Sequence, residues 1–97
     1  MTTATDRAKA KSRIFSPLYN CFMFLYHPAY KGSKSLAYVE YQKAFAICEF
    51  WNALHPRKSI SLAEVFDLAA DHFNDLHKTD KTPAKLLDEL TEIRKKL

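Results

Sequence analysis

The stretch Ser35–His55, SLAYVEYQKAFAICEFWNALH, decides the fold. Placed on a helix at about 100° per residue, its apolar residues divide into two stripes. Leu36, Val39, Ile47, Phe50 and Leu54 form one, and Ala37, Tyr41, Ala44, Cys48 and Trp51 form a second beside it. Tyr38, Gln42 and Glu49 group on a solvent side. A helix apolar over so wide an arc is normally buried on two sides. It is therefore expected to be the central helix, with Trp51 in the core and the other segments packed around it. Glu40 and Lys43, inside the arc, stand three apart and are spaced to pair.

Helix signals extend outward from this stretch. Ser35 reads as its cap, and His55-Pro56 ends it, because a residue before proline is pushed out of the α region. Upstream, Ser16-Pro17 reads as a helix start, a capping hydroxyl followed by proline at the first helical position. The aromatic segment Leu18–His27 follows and stops at His27-Pro28. Residues 1–15 read as an exposed first helix, with residues 1–5 frayed. Downstream, Ser61-Leu62-Ala63-Glu64 has the form of a capping box. Leu62, Val65, Phe66, Ala69, Phe73 and Leu76 follow it at helical spacing. Thr82-Pro83 opens a last helix with Leu86, Leu87, Leu90, Ile93 and Leu97 as its apolar edge. Its other side offers Lys85/Glu89 and Glu92/Lys96 as i,i+4 pairs. The expected fold is all-α: a compact bundle of four to five short helices around a central helix at 35–55.

Ninety-seven residues make a single domain, and the apolar fraction of 47% is enough for one core without staples. Gly32 is the sole glycine, which excludes glycine-rich phosphate loops and turn-rich β folds. Cys21 and Cys48 both sit in apolar segments and read as buried thiols in a reducing cytosol. The longest apolar run, Cys21–Tyr26, is far short of the ~20 residues of a membrane span. The N-terminal residues lack the pattern of a secretory signal. A cytoplasmic protein of a bacterial host cell is expected.

No catalytic constellation emerges. There is no Gly-x-Ser-x-Gly, His-Glu-x-x-His or nucleotide-binding loop. His72 and Asp75 are spaced to hydrogen-bond on one helix, but no nucleophile accompanies them. Cys48 and His55 share a helix face, yet seven residues place them about 10 Å apart along the axis. Ligands of one zinc ion lie within about 2.0–2.3 Å of the metal. Neither a metal, a cofactor nor an enzymatic activity is expected.

Charge is the informative feature. The net charge is +4, but residues 59–77 carry four acids and no Lys or Arg. On the capping-box helix, Glu64, Asp67, Asp71 and Asp75 fall within an arc of about 80°. The three aspartates repeat every four residues, about 6 Å per charge. Such a ridge suits a basic groove of a partner that otherwise holds DNA. The bases form separate clusters: Arg7, Lys9, Lys11 and Arg13; Lys31 and Lys34; Arg57 and Lys58; Lys78 and Lys81. Bases in loops beside aromatic residues can grip phosphates, so direct nucleic-acid binding through Arg7, Lys9, Lys11, Arg13, Lys31, Lys34, Arg57 and Lys58 is the alternative.

In size, helicity and the Glu64/Asp67/Asp71/Asp75 ridge, the chain resembles the small anti-CRISPR proteins of phages and plasmids. The resemblance implies a non-enzymatic inhibitor. It would bind a nucleic-acid-handling complex, such as a type I CRISPR surveillance complex, and cover its DNA-binding surface as a partial DNA mimic. Besides direct nucleic-acid binding, a helical adaptor or oligomer subunit is the other reading.

Overall fold

The computed structural model describes residues 4–96, apart from the side chains of Ala4 and Ile93. Its first helix, α1 (Ala4–Tyr26), runs without a break through Pro17. The separate segments expected on either side of Ser16-Pro17 are thus one helix. A proline inside a helix removes one backbone hydrogen bond and crowds the preceding turn, at a cost of about 3 kcal/mol. Here the helix is held across that point by its burial. Ile14, Leu18, Cys21 and Phe22 are fully buried, and Pro17 is buried among them. The Ser16 hydroxyl, read as a cap, donates to the Ser12 carbonyl at 3.3 Å, within the same helix. Residues 1–3 of the expected frayed end lie outside the described residues, and residues 4 and 5 are helical.

His27-Pro28 ends α1 as expected and opens a 3-10 turn, Pro28–Tyr30, in which the His27 ring nitrogen Nδ1 accepts from the Ala29 N–H at 3.1 Å. Lys31 and Gly32 then take the left-handed conformation and turn the chain back. Helix α2 spans Lys34–Leu54, with Ser33 rather than Ser35 at its cap position. A second 3-10 turn, Pro56–Lys58, follows His55. Helix α3 spans Leu62–His77 and α4 spans Pro83–Lys96. With four α-helices and no strand among the described residues, the fold is all-α, as the helical spacing predicts.

Helices α1 and α2 form an antiparallel hairpin. The Ser33 N–H reaches the Phe24 carbonyl at 2.8 Å, the Cys21 thiol reaches the Ala37 carbonyl at 3.2 Å, and Asn20 donates to Glu40 at 3.3 Å. Small residues make this approach close: Ala37 and Ala44 of α2 and Ala10 of α1 are all buried. Helix α3 lies on the other flank of α1, where Phe22 meets Phe66 edge-on and stacks with Phe73. Helix α4 closes the bundle with buried Leu86 and Leu90.

Two expectations about α2 change. The Ala37/Ala44/Cys48 stripe is buried, with Tyr41 and Trp51 partly so, but Leu36, Val39, Phe50 and Leu54 of the other stripe are exposed. Burial on one side suffices because α2 packs mainly against α1, which carries α3 on its other flank, while α4 and α3 touch α2 only lightly. The molecule measures 43 × 32 × 19 Å. Its thin dimension is about two helix diameters, so the outer faces of α2 and α3 have no third layer over them.

Candidate interaction surfaces

The loops that set the helix positions are clamped by two asparagines that the sequence reading missed. Asn52 of α2 accepts from the Ile60 N–H at 2.7 Å and donates to the Ile60 carbonyl at 3.0 Å. Trp51 Nε1 adds a bond to the Lys58 carbonyl at 2.9 Å, and Arg7 bonds the carbonyls of Lys58 and Ser59. Asn74 of α3 does the same for the next loop, accepting from the Lys81 N–H at 2.9 Å and donating to its carbonyl at 2.6 Å. The only signal in the sequence was an amide in the last turn of a helix before a polar connection. Position alone does not reveal whether its partner loop will come within reach.

The acidic residues lie together as expected. Glu64, Asp67, Asp71 and Asp75 are all exposed on α3, on the side turned away from buried Val65, Ala69 and Phe73. The first is compensated from outside its own helix: Lys11 of α1 pairs with Glu64 at 3.4 Å. For Asp67, Asp71 and Asp75 no ion pair is present among the described residues. Leu68, half exposed, stands at the edge of the arc of the three aspartates, and Leu76 is exposed beside them. The Ser61 hydroxyl accepts from the Glu64 N–H at 3.3 Å. The capping box is therefore formed on one side, with the Glu64 carboxylate drawn to Lys11.

The basic residues do not form one surface. Lys31 and Lys34 sit at the α1–α2 turn, and Lys34 lies 3.8 Å from Glu92 of α4. That contact replaces a Glu92/Lys96 pairing. Arg57 and Lys58 lie past the opposite end of α2, roughly 30 Å away along a 21-residue helix. There the Arg7 bonds join them to the first turns of α1. Lys9 and Arg13 of α1 form the rim of an open groove of about 530 Å³, whose apolar wall is Ile47, Phe50, Trp51 and Leu54. A second groove of about 400 Å³ runs between Tyr38, Tyr41 and Phe45 of α2 and Arg94 of α4.

Neither groove brings a nucleophile to a base. The thiols of Cys21 and Cys48 are buried and unpaired. Burial, with the negative charge of Glu40 adding, pushes the Cys21 thiol up to about 12, and burial also raises Cys48. Both are protonated and inert near neutral pH. His72 does not bond Asp75; its ring packs against Phe15 and Tyr19 at 5.7 and 5.3 Å between centroids. No group of three or more metal-ligating side chains is assembled among the described residues, and no described helix is long and apolar enough to cross a membrane. Comparisons with protein-family models, curated proteins and solved structures found no match.

Proposed function

We propose that this chain is a non-enzymatic inhibitor that docks the outer face of α3 into the basic, nucleic-acid-binding surface of a protein complex. Inhibition of a type I CRISPR surveillance complex in the manner of the small anti-CRISPR proteins is the specific form of this reading. The observation that carries it is the row Asp67, Asp71 and Asp75. These carboxylates are exposed, uncompensated by any described cation and mounted on a helix whose two ends are clamped by Asn52 and Asn74. Leu68, half exposed at the edge of their arc, adds an apolar side chain beside the row. Carboxylates every 6 Å follow a basic channel at lower density than one DNA strand, with its phosphate every 3.4 Å. The fit is to the channel's lysines and arginines, not to its full length.

A second reading has its own observation. Arg7 draws the 3-10 turn carrying Arg57 and Lys58 onto the start of α1. That basic end offers a phosphate-binding surface. A competition assay separates the two, with protein, a CRISPR surveillance complex and its target DNA. The variant Asp67→Asn/Asp71→Asn/Asp75→Asn is expected to keep its helicity and melting temperature, or gain slightly, because like-charge repulsion at i,i+4 is relieved. It is expected to lose at least tenfold in displacing DNA, since each close interfacial charge pair couples by about 1.5 kcal/mol or more. Arg57→Gln/Lys58→Gln should displace DNA as well as the parent. Loss in the Gln variant alone, with salt-sensitive binding of free DNA by the parent, would move the function to the basic end.

A further inference from the structure

The exposed stripe of α2 is a second surface, independent of α3. Leu36, Val39, Phe50 and Leu54 are 49, 47, 70 and 59% exposed, with half-buried Ile47 between them. Their helical angles fall within about 80°, and from Leu36 to Leu54 the row rises about 27 Å. Together the four expose on the order of 400 Å² of apolar surface, in the range of the largest patch on a monomer, which is often functional. The single charge in the row, Lys43, is already paired with Glu40 at 3.4 Å. Covering the row therefore strands no unpaired charge.

We infer that this stripe is a self-complementary interface that joins two copies of the chain through antiparallel α2 helices. The row is nearly symmetric about position 45. A two-fold axis there sets Leu36 against Leu54 of the second copy, Val39 against Phe50, and Lys43 beside Ile47. An isologous contact requires this property: one patch must match itself reversed. The two stripes with their flanking α1 residues bury on the order of 1,000 Å² in total, the lower bound for a specific interface. The dimer is therefore a modest, concentration-dependent one. It leaves the α3 ridge open in both copies.

Sedimentation velocity of the full chain from about 1 to 500 µM is the test. The parent is expected to shift from monomer to dimer within that range. Phe50→Asp and, separately, Val39→Glu replace exposed side chains, so circular dichroism and melting temperature should stay unchanged while the dissociation constant rises at least tenfold. The register is read by Leu36→Cys/Leu54→Cys, which should oxidise to a disulfide-linked dimer in which residue 36 is joined to residue 54 of the other copy. The native thiols are buried and should remain reduced. A parent that stays monomeric to 500 µM overturns the inference, whatever other protein might cover the stripe. So does a dimer indifferent to both charge substitutions, or one abolished by Leu68→Asp on α3. Loss of DNA displacement in the α3 variant leaves this result untouched, because the two surfaces share no residue.

Discussion

Single residues in this protein do their structural work mainly by holding backbone. Trp51 belongs by spacing to a core stripe, but it is partly exposed, and its indole donates to the Lys58 carbonyl while its ring lies 4.1 Å from that of His55. Asn52 beside it satisfies both backbone groups of Ile60, a residue whose side chain is itself buried. Truncating one partner of buried hydrogen bonds costs more than the bonds contribute, because the groups left behind stay desolvated. Asn52→Ala should therefore lower unfolding stability by about 2–3 kcal/mol in urea denaturation. The control Gln42→Ala, at an exposed position of the same helix, should stay within about 0.5 kcal/mol. An equally small effect at Asn52 would mean that Trp51 and Arg7 hold the loop without it.

At the scale of elements, the starts of α3 and α4 were set by local chemistry, while the continuity of α1 was not. Thr82 caps α4 by accepting from the Lys85 N–H at 3.2 Å, and Ser61 caps α3. In a reciprocal capping box, removing either side chain would cost a similar amount. Here Glu64 has turned to Lys11 across a partly exposed gap of 3.4 Å. Ser61→Ala is expected to cost about 1 kcal/mol, the usual loss of a cap. Glu64→Ala should cost less than about 0.5 kcal/mol, as a partly exposed ion pair does. Equal losses in thermal denaturation would show the reciprocal bond to be present in solution.

The whole molecule is a flat bundle with two buried thiols, Cys21 and Cys48, in its core. Cys21 sits fully buried between α1 and α2, where burial first and Glu40 second raise its pKa from 9.0 to about 12. Tyr26, also pressed into the bundle, is raised from 10.0 to about 12 by burial, with Glu89 adding. The unfolded chain ionises both groups at their ordinary values. Below pH 9 both states are protonated and the stability contribution is complete. As pH rises from 9 to 12 the unfolded state loses protons first, so stability falls. The urea midpoint should be level from pH 7 to 9 and decline above it. Cys21→Ala should start lower, from its lost packing, and decline less steeply. A parent midpoint level to pH 11 would contradict the burial of this thiol.

Periodicity, caps and proline stops were enough to determine an all-α chain, the C-terminal end of α2, the bounds of α3, the start of α4, and the gathering of Glu64, Asp67, Asp71 and Asp75 on one face. All of these depend on spacing within a single helix, which 3.6 residues per turn converts directly into geometry. What needed the tertiary structure was every relation between helices. Pro17 reads locally as a start, and the buried contacts of Ile14, Leu18 and Phe22 carry the helix through it. Lys11 is 53 residues from Glu64 in the chain and pairs with it across the α1–α3 contact. Both stripes of α2 read as apolar in sequence, and the larger aliphatic side chains are on the stripe that ends outward. Only the position of α1 decided that Ala37, Ala44 and Cys48 meet the core while Leu36, Val39, Phe50 and Leu54 face outward. Small residues permit the closer backbone approach, so the alanine stripe won the core, and the larger side chains were left at the surface where a second molecule can meet them.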